Sequence, residues 1–223
     1  MTGMHSTDEV DEPSLETLLA RAEAIAGGSR RMLGLTGAPG SGKSTLARLL
    51  VEHMPDRAVL VPMDGFHLAN VQLARLGRAG RKGAHDTFDA DGYVALLRRI
   101  RAQQIDEIVY APEFRREIEE PIAGAIAVLP DHRLIVTEGN YLLLQTGVWI
   151  DVRPLLDKVW YVEVDEELRL QRLITRHMQF GRDEPAARAW VAQTDEPNAQ
   201  LIASTRSRAD RIVRLGALPL GDG

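Results

Sequence analysis

Gly37-Ala38-Pro39-Gly40-Ser41-Gly42-Lys43-Ser44-Thr45 fits the pattern G-x-x-x-x-G-K-[ST], and the chain on either side has the form that pattern needs. Upstream, Arg31-Met32-Leu33-Gly34-Leu35-Thr36 reads as a buried strand; downstream, Leu46, Leu49 and Leu50 recur at helical spacing between Gly42 and Met54. Strand, glycine loop and helix arrive in the order of a phosphate cradle. The glycines let successive backbone N–H groups converge on phosphate oxygens at the positive end of a helix. All nine residues, Gly37 to Thr45, are therefore the expected nucleotide-binding set, with Lys43 bridging the outer phosphates of ATP and Ser44 offering its hydroxyl to magnesium. A glycine-rich turn that happens to carry a lysine would explain the loop but not its flanks.

At 223 residues the chain suits one α/β domain with a large core. The expected division is a disordered segment over residues 1–13 and a single domain over 14–223. Hydrophobic residues at 44% and charged residues at 26% are ordinary for a globular protein, and no apolar run approaches the roughly 18 residues of a membrane span. Met1 to Glu12 is polar and acidic, with no sign of a secretory or transit signal, so the cytoplasm is the expected compartment and no membrane partner is expected. Zero cysteines exclude disulfides, thiolate metal sites and cysteine nucleophiles. A net charge of -5 argues against nucleic acid as a partner. A homodimer stays open.

Taken in order, Leu15, Leu18, Leu19, Ala22 and Ile25 mark an amphipathic helix that ends at Gly27-Gly28. Residues 58–63 read as a second buried strand, which delivers Asp64-Gly65-Phe66-His67 to the sheet edge where open parallel sheets bind ligands. Asp64 is thereby placed to accept a proton from a substrate hydroxyl, although Asp-Gly alone also suits a turn. Residues 70–89 read as a functional loop in which Arg78 and Arg81 form a solvated basic surface. Asp91 is the expected cap of a helix carrying Tyr93, Leu96, Leu97 and Ile100. Ile108 to Tyr110 and Ile122 to Val128, with charged Glu113 to Glu117 between them, suggest a hairpin flap; the charge run equally suits a solvated face.

Leu134 to Thr137 is a further buried strand, ending at Glu138, where a carboxylate serves a magnesium site directly or through water. Val159 to Val164 follows as a strand, then a lid over about residues 167–190. Its Arg169, Arg172 and Arg176 share one helical side and either close over the phosphates or form a solvated basic face. Trp160, Val162 and Trp190 are expected in the core. A helix from Asp195 through Ile202 and a strand at Ile212 to Leu215 complete the pattern.

Together these motifs resemble the P-loop kinases of small metabolites: uridine kinase, phosphoribulokinase, bacterial type I pantothenate kinase and proteins described as nucleoside or fructose transport system kinases. The likeness runs from about Arg31 to Val213. Its marks are GAPGSGKST, PMDGFH at 62–67, RKGAHDTFD at 81–89, TEGNYLLL at 137–144, RLITRH at 172–177, and DEPNAQLI with TRSRAD at 195–210. The resemblance implies the P-loop NTPase three-layer α/β fold, with a mostly parallel five-stranded sheet, a flap hairpin and a helical lid. It implies transfer of the γ-phosphate of ATP, with Mg2+, to a small-molecule acceptor. It makes Lys43, Asp64, Arg172 and Arg176 catalytic, Ser44 and Glu138 the metal partners, and His67, Lys82 and Tyr141 lining of the acceptor pocket. Asn198 or residues 206–210 would lie near the nucleotide.

Two departures bear on the acceptor. Asp64-Gly65-Phe66-His67 is nearer the pantothenate kinase form than the uridine kinase form, and Pro112-Glu113-Phe114-Arg115 puts a base where relatives often carry an acidic or small polar residue. Arg115 is thus a further substrate-binding candidate, for a carboxylate or phosphate. No N-K-x-D or L-S-G-G-Q motif occurs, which removes GTPases and ABC-type ATPases. The remaining alternative is a P-loop ATPase or nucleotide sensor with no acceptor.

Overall fold

The computed structural model describes residues 10–216. A two-residue strand, β1 (Val10–Asp11), leads into α1 (Leu15–Ile25), whose Ser14 cap accepts a hydrogen bond from the Thr17 amide. β2 (Arg31–Thr36) runs through the glycine loop into α2 (Lys43–Glu52), and β3 (Ala58–Leu60) ends ahead of a 3-10 turn at Met63–Phe66. Then come α3 (Asn70–Arg75), α4 (Ala90–Arg101) and the antiparallel pair β4 (Val109–Arg115) and β5 (Glu120–Val128). β6 (Leu134–Glu138) and β7 (Lys158–Glu163) precede α5 (Glu166–Gln179), α6 (Glu184–Trp190), α7 (Glu196–Ala203) and β8 (Arg211–Arg214).

The strand order is β1-β8-β7-β2-β6-β3, every pairing parallel. The five strands from β8 to β3 are the expected sheet, and β1 adds a sixth at its edge. Along the central strands, side chains alternate between two cores. Met32, Ile135, Val159 and Tyr161 face one, while Leu33, Leu35, Val136, Trp160 and Val162 face the other. Helices α1 and α2 cover the second core, α4 and part of α7 the first, and three layers result. Gly34 has no side chain because Leu156 and Leu142 fill that space: a Cβ there would come within 2.7 Å of Leu156 Cδ1.

Several expectations need correction. Residues 1–9 of the segment expected to be disordered lie outside the described residues, but Val10 pairs with Ile212 and Asp11 with Val213. The 70–89 stretch is not all loop, since α3 and a 3-10 turn at Ala79–Arg81 occupy half of it. Arg78 and Arg81 are not a free basic surface. Arg81 grips Asp86 with both Nη atoms, at 2.5 and 2.6 Å, and Arg78 donates to the Asp86 carbonyl at 2.7 Å. Asp89, not Asp91, caps α4, accepting from the Gly92 amide. Trp190 is only partly buried, unlike Trp160.

Candidate active site

Gly40 and Gly42 take φ of 82° and 93°, the left-handed region that a side chain resists, and Gly42 is also the residue from which α2 starts. This aims the loop's amides and the helix N-terminus at one point. Among the described residues, three buried side-chain polar atoms have no hydrogen-bond partner: Ser41 Oγ in the loop, Arg172 Nη1 and Asn140 Oδ1. Arg172 Nη1 would lie 3.6 Å from a Cβ at Gly42, and the Asn140 carbonyl accepts from Thr36 Oγ1 at the end of β2. Unpaired buried polar groups are costly, so this lining fits a polyanionic ligand with its metal. No group of three or more His, Asp or Glu among the described residues would hold a cation unaided. Ser44 and Glu138 would leave most of a magnesium ion's coordination to phosphate oxygens and water.

A cleft of about 620 Å³ opens above the carboxyl ends of β2, β3 and β6. Lys43, Ser44, Asp64, Glu138 and Arg176 all line it, and so do His67 and Lys82. Glu138 is placed from behind. The Tyr93 hydroxyl and Thr137 Oγ1 are 2.6 Å apart, and Thr137 Oγ1 in turn donates to the Val61 carbonyl, which locks α4 and β3 to the end of β6. Asp64 sits on the 3-10 turn beyond β3 rather than on the strand itself.

Burial governs the electrostatics. Desolvation pushes the Glu138 carboxyl above its ordinary range, with Lys43 opposing, and pulls the Lys43 ammonium below its own, with Glu138 and Asp64 opposing. Arg176 is likewise lowered by desolvation and then by Arg116. His67 is lowered mainly by burial, which favours the neutral ring. Its Nδ1 lies 2.8 Å from the Asp64 carbonyl oxygen, which only accepts, so Nδ1 carries the proton and Nε2 is left as an acceptor.

The other expected site residues separate. Arg115 points away from the cleft and pairs with Glu113 at 2.9 Å; its neighbour Arg116 lines the cleft, with Nη2 3.7 Å from Asp64 Oδ2. Tyr141 is no pocket residue either, being fully buried, with its hydroxyl 2.6 Å from the Gly83 carbonyl and 3.0 Å from Asn198 Oδ1. It braces two residues that do line the cleft. The three lid arginines do not act as one face. Arg169 is buried, bound to Glu166, Glu196 and the Pro39 carbonyl, and so ties α5 and α7 to the glycine loop. Arg172 lies at Gly42 outside the cleft, and only Arg176 reaches into it.

Arg116, Asn140, Arg182, Trp190 and Asp195 line the cleft although the sequence did not single them out for it. Neither Arg116 nor Asp195 carried a local signal: Arg116 lies in the turn just past β4, where the alternation of the strand ends. A π-helical turn over Val191–Asp195 joins α6 to α7 and brings Asp195 Oδ2 within 2.8 Å of His177 Nε2. Arg182 stacks over Trp190 at 4.1 Å on the same wall.

Residues 32–218 match the model of the phosphoribulokinase / uridine kinase family. A Schizosaccharomyces pombe protein described as a candidate uridine kinase is 36% identical over 184 residues, 78% of this chain and 78% of that one. An ATP-dependent kinase-like protein of Aspergillus versicolor is 35% identical over 159 residues, 68% of this chain and 92% of its own. The crystal structure of a candidate fructose transport system kinase from a Silicibacter species superposes with a TM-score of 0.78 at 36% identity, covering 90% of this chain and 98% of that one.

Proposed function

The chain belongs to the phosphoribulokinase / uridine kinase family of ATP- and magnesium-dependent small-molecule kinases, and from that premise we propose that it phosphorylates a hydroxyl of a pantothenate-, nucleoside- or sugar-like metabolite, with Asp64 as the base. The observation that carries this reading is the shared cleft: Asp64 lines the same space as Lys43, Ser44 and Glu138, with a wall of polar side chains beyond it. A protein that only hydrolyses or senses nucleotide has no use for such a wall.

Bound Mg·ATP supplies the electrophilic γ-phosphoryl group and neutralises charge as it moves. The residues of the chain do the rest. The backbone N–H groups between Gly37 and Thr45, Pro39 excepted, and the Lys43 ammonium would hold the phosphates, and Ser44 and Glu138 would take the metal. Loss of solvent weakens the charge on Lys43 and Glu138, and an ion pair with a ligand at each restores it. Asp64 accepts the hydroxyl proton, His67 Nε2 orients a neighbouring hydroxyl, and Arg176 stabilises the transferring group. Arg172, at Gly42, serves the nucleotide side of the loop.

The test is a coupled ADP-release screen over pantothenate, nucleosides, sugars and sugar phosphates. At least one class should stimulate release well above the acceptor-free rate. If none does, the ATPase or sensor reading replaces this one.

A further inference from the structure

Two cations in the cleft keep hydrogen-bond donors to spare. Lys82 Nζ has three N–H donors, of which one goes to Asn70 Oδ1 at 2.7 Å and one to the Glu119 carbonyl. Both acceptors are neutral, and Lys82 makes no ion pair among the described residues. The nearby Glu120 carboxylate is occupied by the Asn70 amide, at 3.0 and 3.1 Å. Burial pulls the Lys82 ammonium below its ordinary value, with the Glu119 and Glu120 carboxylates opposing.

At the flap tip the Arg116 carbonyl accepts from the Glu119 amide, but the Arg116 guanidinium makes no hydrogen bond among the described residues. Its contact with Asp64 at 3.7 Å is too long for one, so its five donors are unspent. Both cations contact one aromatic ring, since Lys82 Nζ is 5.0 Å and the Arg116 guanidinium carbon 6.0 Å from the centroid of Phe114. His67 packs on the same ring at 4.6 Å, with its acceptor Nε2 unused. Of the other cleft carboxylates, Glu138 lies beside Lys43 and Asp195 holds His177, while the Glu119 carboxylate acts on Lys82 and Arg176 only through space. A neutral acceptor closed in under the flap would leave one Lys82 donor and the Arg116 fork desolvated and unpaired, which is costly.

Resting on the phosphotransfer reading, we infer that the acceptor is an oxyanion, a small hydroxylated molecule bearing a carboxylate or phosphate, and that Lys82 and Arg116 around Phe114 select it. The carboxylate or phosphate takes the third Lys82 donor and the Arg116 fork, and this frees Asp64 to face the acceptor hydroxyl.

The experiment is calorimetric titration of matched pairs in the presence of magnesium and a non-hydrolysable ATP analogue: glycerate against glycerol, pantothenate against its alcohol, fructose 6-phosphate against fructose, with uridine as a neutral nucleoside. The best ligand should be charged and bind at least about tenfold more tightly than its neutral partner. Whether it is an acid or a phosphate tells the two sources apart. Lys82→Ala and Arg116→Ala should each weaken that ligand by about tenfold to a hundredfold. The inference is overturned if no charged member binds, if uridine or a neutral partner binds as well as the charged one, or if the double variant keeps parent affinity. A charged ligand that binds as described but never stimulates ADP release supports the selection by Lys82 and Arg116 and overturns the phosphotransfer reading instead.

Discussion

Replacing Asp64 by Asn separates chemistry from folding because the structure makes the two effects differ in size. Among the described residues the side chain's one ion pair is with Arg116 Nη2 at 3.7 Å, with side-chain exposures of 32% for Asp64 and 46% for Arg116. A pair that long and that open to water contributes at most about 1 kcal/mol. The bond to His67 uses the backbone carbonyl of Asp64, which the substitution leaves alone. The melting temperature should therefore fall by no more than about 2–4 °C. A lost general base costs on the order of a hundredfold or more in rate, or roughly 3 kcal/mol of barrier. The assay is acceptor-dependent ADP release with the best acceptor, beside nucleotide affinity and a melting curve. Amide and carboxylate match in size, so nucleotide affinity should hold, and slow acceptor-free hydrolysis should survive. Release at the parent rate in Asp64→Asn would refute the base assignment. A fall in melting temperature of about 10 °C or more would refute the argument that the side chain is structurally dispensable.

Gly65→Ala would place a Cβ 2.4 Å from the Pro112 carbonyl oxygen, a backbone atom of the flap, so the 3-10 turn carrying Asp64 must shift. The expected loss is about 1–3 kcal/mol of stability, with acceptor turnover reduced, and an unchanged melting temperature and rate would contradict the contact. Glu138, raised by burial, contributes stability that is complete below the ordinary carboxylate pKa and is lost as pH climbs through that value toward the raised one. In the absence of nucleotide, Glu138→Gln should therefore gain on the parent as pH rises from about 4 to about 8, and a parent-minus-variant difference in melting temperature that stays flat removes burial as the cause. Arg115→Ala should leave acceptor kinetics at the parent level and cost under about 1 kcal/mol, because the Arg115–Glu113 pair is exposed; a raised acceptor KM would return Arg115 to the site.

The glycine loop could be read from the chain because its geometry is local: Gly40 and Gly42 adopt backbone angles that few other residues accept, and the hydrophobic periods on both sides name a strand and a helix. The placement of Asp64 and Glu138 followed from the same periods, since Glu138 ends β6, which pairs in parallel with β2, and Asp64 follows β3, which pairs in parallel with β6. Non-local geometry decided the rest. Arg115 and Arg116 are chemically equal neighbours, and only the hairpin's pairing and turn send one to Glu113 and the other toward Asp64. Arg169, Arg172 and Arg176 share one helix, yet α7 and the glycine loop claim the first, Gly42 faces the second, and only the third is left for the cleft. Tyr141 entered the expected acceptor pocket by resemblance alone, but the packing of Gly83 and Asn198 made it a buried brace. A sequence states which chemistries are present and their spacing along an element; which partner takes each charge is settled by segments distant in the chain, because a buried charge or hydroxyl is costly to leave unpaired.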